Sequence, residues 1–135
     1  FSSEEEVNRL IAEANDKNVK VVLSSHDFFR TPPKEEIVAR LVKMQQLGAD
    51  ITKIAVMPQS EEDGLTLREG TLEMKKTKAE RPVITRAMGK YGVTSRLAGE
   101  LFGSCLTFAA AKDVSAPGQV SVRDVRSILE ILALD

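Results

Sequence analysis

The sequence predicts an α/β fold of repeated strand–helix units, and three observations carry that reading. Short strand-like runs stand at 19–25, 51–57, 82–88 and 105–111, the first of them β-branched. Stretches with apolar residues at helical spacing separate them. The first run is apolar on successive positions, as in a strand buried on both faces of a parallel sheet. The tally is one leading helix and then four βα units. Two architectures fit: a doubly wound open sheet of flavodoxin-like size, or half of a (β/α)8 barrel, which typically needs about 250 residues. Both place functional residues at the C-terminal ends of the strands.

Each element has a local cause. Residues 3–17 set Val7, Leu10, Ile11 and Ala14 at helical spacing, and Ser2 or Ser3, with Glu5 or Glu6 three residues on, offers a capping box. The acidic first turn suits the helix dipole. After the first strand, Thr31-Pro32-Pro33 stops the chain and opens a helix striped by Ile37, Leu41, Met44 and Leu47, ending at Gly48. The strand at 51–57 leads to a helix over 61–77 carrying Leu65, Leu67, Leu72 and Met74. The strand at 82–88 leads to a short helix from Ser95 to Phe102, with Ser95 as its cap. The fourth strand, 105–111, precedes a final helix over 121–134, which Ser121 caps with Asp124 as partner.

Composition narrows the function. The 135 residues carry 19 Lys and Arg against 20 Asp and Glu, net −1, and are 42% hydrophobic, which fits one domain with a real core. Near-neutral charge gives no reason to expect nucleic acid or an anionic membrane surface. A single cysteine, Cys105, excludes an internal disulfide framework and a Cys-based zinc cluster, and a single histidine, His26, excludes most His-rich metal sites. Without a long apolar run or a signal-peptide pattern, a reducing, cytoplasmic setting is expected. Phe1 stands where a Met would start a protein, and helix-like sequence follows at once, so the chain is expected to belong to something longer.

The strand ends hold the chemistry. His26 closes the first strand and can serve as acid and base near neutrality, whereas Asp27 beside it reads as a loop or capping residue. Lys53 interrupts the otherwise apolar second strand, on the same face as Ile51, Ala55 and Met57. A desolvated lysine loses its proton more readily, and the free amine can attack a carbonyl to form a Schiff base. Arg96 falls in the first turn of a helix, where the dipole disfavours a cation and a nearby anion, such as a substrate carboxylate, would help. Ser115-Ala116-Pro117-Gly118-Gln119 is a polar loop after the fourth strand that could present hydroxyl, amide and backbone N–H groups to a ligand.

Four of these stretches, in order and at the right spacing, resemble the C-terminal half of type I 3-dehydroquinate dehydratase. They are Ser24-Ser25-His26-Asp27-Phe28, Lys53-Ile54-Ala55-Val56-Met57-Pro58-Gln59, Gly92-Val93-Thr94-Ser95-Arg96-Leu97-Ala98-Gly99-Glu100 and Ser115-Ala116-Pro117-Gly118-Gln119. The resemblance implies a TIM (β/α)8 barrel enzyme of the shikimate pathway, commonly a homodimer, which dehydrates 3-dehydroquinate to 3-dehydroshikimate without metal or organic cofactor. It implies that residues 1–135 are the C-terminal half of one barrel domain, leading helix plus four βα units, and that the N-terminal half of the barrel is a required partner. Lys53 then falls on the Schiff-base lysine and His26 on the general acid/base. Arg96 falls on the arginine that holds the substrate carboxylate. Ser115 and Gln119 fall on polar substrate-binding groups, and Met88, Phe28, Phe108 and Ala116 on site-lining positions.

Two departures accompany the resemblance. Arg86 stands where the family usually has a methionine, on the same side of its strand as Met88. A second cation there would depress the lysine's proton affinity or compete for the substrate carboxylate. The first four βα units, which in the family carry further substrate-binding groups, are missing. Two other readings stay open: a class I aldolase-type Schiff-base lyase, which shares the lysine chemistry, and a non-catalytic flavodoxin-like or receiver-like binding domain. A receiver would want an acidic cluster ending its first strand, which is absent.

Overall fold

A computed structural model describes residues 3–133. Phe1, Ser2, Leu134 and Asp135 lie outside the described residues, and with them the alternative cap at Ser2 and the last residue of the predicted final helix. Helix α1, Glu4–Asp16, has the predicted capping box: the Ser3 N–H donates to Glu6 Oε2 at 2.9 Å, and the Glu6 N–H to Ser3 Oγ at 3.2 Å. Strand β1, Val22–His26, begins three residues after the predicted start. The Val19 N–H still bonds the helix end at the Ala14 carbonyl, 2.8 Å away, and the chain turns through Asn18 at φ 55°.

Helix α2, Lys34–Gln46, starts directly after Pro33 and buries Ile37, Val38, Leu41 and Met44. Strand β2 is Ile51–Val56. Helix α3, Glu61–Glu73, is capped by Ser60, whose Oγ accepts from the Asp63 N–H, and it widens into one π-helical turn, Met74–Lys78. Strand β3 is Val83–Ala87. The three strands form one parallel sheet in the order β1-β2-β3. One face of it carries Ile54, Val56, Val83 and Ala87, which pack with Ile37, Leu41 and Met44 of α2 and Leu67 of α3 into the core. Between the layers, Thr71 of α3 donates its hydroxyl to the Leu67 carbonyl and bonds Thr85 of β3 at 2.8 Å. Sequential strand order with α2 and α3 on one face is what a singly wound sheet produces; a doubly wound sheet places helices on both.

The predicted fourth strand is corrected. Residues 105–111 form no strand, and residue pairing in this region is limited to isolated bridges at Val83–Ser104 and Ala110–Ser121. The Cys105 N–H reaches the Val83 carbonyl at 2.8 Å, but the next outward amide of β3, on Thr85, donates to the Ser104 side chain at 3.2 Å instead of to a backbone carbonyl. That substitution ends the ladder after one rung, so the apolar run is not held extended.

The helix predicted from Ser95 to Phe102 is also corrected. A 3-10 turn, Lys90–Gly92, leads into α4, Val93–Leu97, and a break at Ala98 separates it from α5, Gly99–Phe102. Ser95 is not a cap. It lies inside α4, where its hydroxyl donates to the Gly92 carbonyl at 2.7 Å and accepts from the Ala87 N–H at 3.0 Å. The turn is pressed against β3 so closely that a Cβ on Gly92 would stand 2.1 Å from the Ala87 carbonyl oxygen. Gly92→Ala is therefore expected to cost about 1–3 kcal/mol, read as a lower urea midpoint; an unchanged midpoint would show that the turn yields freely. The last helix, α6, Val122–Leu132, is capped by Ser121, whose Oγ accepts from the Asp124 N–H at 3.1 Å.

Candidate active site

Register brings the strand-end residues together. His26 pairs with Ala55, and Ala55 with Arg86; one step earlier on the same face, Ser24 pairs with Lys53, and Lys53 with Ile84. Strand side chains alternate, so these two rows point away from α2 and α3, while Thr52, Ile54 and Val56 point toward them. Lys53 is thus on the central strand, neither at an edge nor in the helix-packed core.

On that face lies a cavity of about 210 Å³ lined by His26, Phe28, Lys53, Ala55, Arg86, Met88, Arg96, Phe108, Ala116 and Gln119. It gathers Arg86 and eight of the nine residues that the resemblance places at the site. The ninth, Ser115, is not among the lining residues: its N–H and hydroxyl both bond Gln119 Oε1, at 2.8 and 3.0 Å, so it positions Gln119 within the loop. Ala55 was not singled out, although it shares the alternation that marks Lys53, and its small side chain leaves room between His26 and Arg86. Asp27 is a loop residue as expected, accepting from the Phe29 and Arg30 N–H groups.

The loop reaches the site through a close backbone approach. Gly118 has φ 75°, and a Cβ there would stand 2.5 Å from the Gly89 carbonyl oxygen. Only glycine suits both the left-handed backbone and that gap. The approach lets Arg96 Nη2 donate to the Pro117 carbonyl at 3.0 Å, which ties α4 to the loop.

The lining holds three cationic side chains, Lys53, Arg86 and Arg96, and no carboxylate. Burial, and then the Arg86 charge, pull the Lys53 amine below its ordinary lysine value. Burial, and then Lys53, pull His26 below 6.5, which leaves a neutral imidazole at pH 7. Burial, and then Arg96, bring Arg86 down to about 10, still a cation at neutral pH; Arg96 is lowered by burial alone. Phe108 supplies a cation–π surface, with Lys53 Nζ 5.0 Å and Arg86 Cζ 4.3 Å from its ring centroid. His26 stacks on Phe28 at 5.7 Å with 9° between the rings. Such a site can offer a carbonyl an amine that sheds its proton more readily than an ordinary lysine, a neutral imidazole to a proton and guanidinium groups to an anion.

Fold and site define a class: an α/β protein of parallel βα units with a cationic, lysine-bearing cleft at the C-terminal ends of its strands. Comparison with known proteins gives the family. The profile of the family described as Type I 3-dehydroquinase matches residues 1–135, and the chain belongs to that family. It is 56% identical over 132 residues to a 3-dehydroquinate dehydratase of Clostridioides difficile (strain 630), covering 98% of this chain and 52% of that protein. It is 57% identical to one of Salmonella paratyphi B over the same shares. Among solved structures, a type I 3-dehydroquinate dehydratase of Clostridium difficile superposes with a TM-score of 0.92 at 56% identity, covering 96% of this chain and 51% of that one. A Geobacillus kaustophilus 3-dehydroquinate dehydratase gives 0.90 at 43% identity, covering 95% and 49%. The chain spans about half the length of the curated relatives it matches. Among the described residues, no helix is long and apolar enough to cross a membrane.

Proposed function

We propose that residues 1–135 are the C-terminal half of a (β/α)8 barrel domain and carry the Schiff-base chemistry of 3-dehydroquinate dehydration. The observation that carries this reading is Lys53: a partly buried amine, held below its ordinary proton affinity, beside a neutral His26 and across a cleft from Arg96. Sequential strands with α2 and α3 on one face support the barrel. Relatives named 3-dehydroquinate dehydratase, about twice as long, support the half. A solved relative described with covalently modified comenic acid supports a site that forms covalent adducts.

The reaction follows from the residues. The Lys53 amine attacks the substrate's C3 ketone, and loss of water gives a protonated imine. That imine draws electrons from C2, so the neutral His26 imidazole can take the C2 proton. The resulting enamine expels the C1 hydroxyl, which leaves as water with the proton His26 returns. Water then releases the 3-dehydroshikimate and restores the amine. Arg96 holds the C1 carboxylate and so fixes the ring for elimination, and Gln119, positioned by Ser115, meets the ring hydroxyls.

The test is borohydride reduction of the barrel-complete protein mixed with 3-dehydroquinate. A reduced adduct on the peptide containing Lys53, seen by mass, is expected. Trapping should persist to lower pH than for exposed lysines, because a depressed amine sheds its proton earlier as pH rises. Absence of an adduct on folded, barrel-complete protein overturns the reading, and an adduct formed only with an aldolase substrate would replace it.

A further inference from the structure

We infer that Arg86 is a second carboxylate-holding residue, which with Arg96 grips one anionic group of the ligand from two sides. This rests on the proposed dehydratase reading and adds a binding determinant to it. Both arginines are almost fully enclosed, Arg86 at 4% and Arg96 at 2% exposure. Yet their donors are largely unused. Arg86 Nη1 makes one long bond, 3.4 Å, to Thr107 Oγ1, and its Nε and Nη2 have no partner. Arg96 spends Nη2 on the Pro117 carbonyl and leaves Nε without a partner. No ion pair to either arginine is present among the described residues.

Buried cations with open donors are costly unless an anion completes them. The two are coupled in space. Thr107 accepts from Arg86 and donates to the Arg96 carbonyl at 2.7 Å, and both guanidinium groups line one cavity, where the Arg96 charge lowers the proton affinity of Arg86. Phe108 covers a face of the Arg86 plane, so the edge donors are what it presents. The cavity they share is the one that holds Lys53 and His26, so an anion seated there belongs to the molecule whose carbonyl meets Lys53. A carboxylate near that carbonyl fits; a methionine in place of Arg86, usual in the family this chain resembles, would contribute no donor.

The experiment uses the barrel-complete protein and the variants Arg86→Met and Arg86→Lys. Arg86→Met is expected to raise KM for 3-dehydroquinate about 10- to 100-fold, with kcat falling by less than KM rises. Arg86→Lys should recover part of the loss, since it keeps the charge but not the fork. The discriminating readout is the substrate's carboxamide, titrated as a competitive ligand. Wild type should bind it more weakly than the acid, and Arg86→Met should narrow that preference by about the factor that it costs the acid, while Arg96 keeps the remainder. An unchanged KM, an equal loss for acid and amide, or a fall in Tm with no change in binding overturns the inference; the last would mean that Arg86 serves the fold and not the ligand. Wild-type turnover and a Lys53 adduct in the same preparation separate this failure from failure of the dehydratase reading, because that reading fails only if those are missing.

Discussion

Lys53→Met in the barrel-complete protein is expected to lower kcat for 3-dehydroquinate by about 10^4-fold or more and to abolish the borohydride adduct. Neither His26 nor the arginines can replace an amine as the atom that joins the substrate, so the elimination loses its electron sink. Lys53→Arg should be as inactive, because a guanidinium keeps the charge and forms no imine at neutral pH. The folded state should not suffer. Lys53 pays desolvation in the wild type and has Arg86 as a like-charged neighbour, so a methionine of similar length relieves both. Tm should therefore hold or rise while turnover vanishes. Retention of more than about 1% of wild-type kcat in Lys53→Met would remove the lysine from the mechanism.

That lysine was legible in the sequence because two local rules intersect on it. Strand alternation sets it apart from Thr52, Ile54 and Val56, and a charge inside an apolar strand has few structural uses. Caps at Ser3 and Ser121 were legible for the same reason: their hydrogen bonds close within three residues. What stayed hidden depends on residues far apart in the chain. The apolar run 105–111 carries a strand signature, but whether it pairs is decided by Ser104 taking the Thr85 amide. The break between α4 and α5, and the role of Ser95 as a tie to β3, follow from how closely Gly92 approaches Ala87. Ser115 has the composition of a ligand-binding residue, yet its hydroxyl turns inward to Gln119. For Arg86, alternation predicts the side it faces, but only the structure reveals that its donors lack partners.

If the half-barrel proposal holds, the isolated 135-residue chain is expected to turn over 3-dehydroquinate at least about 10^3-fold more slowly than the barrel-complete protein, because it would lack half of the wall that orients substrate and excludes water. Among the described residues β1 pairs only with β2, so its outer edge presents open backbone donors and acceptors. Apolar side chains near that edge stand in solvent, Val22 at 49%, Phe28 at 58% and Phe29 at 86% exposure. Phe28 is also the residue that stacks on His26, so the imidazole is fixed by a neighbour that is itself held on one side only. A separate chain of the four N-terminal βα units should pair with the β1 edge, cover these side chains and restore turnover in a saturable, one-to-one manner. Completion by a second copy of this chain would instead make activity per chain rise with concentration. Kinetics against concentration, with the mass from sedimentation, distinguish the two. A monomeric 135-residue chain working at the rate of the complete protein would show that the sheet face bearing Lys53, His26 and Arg96 needs no opposite wall.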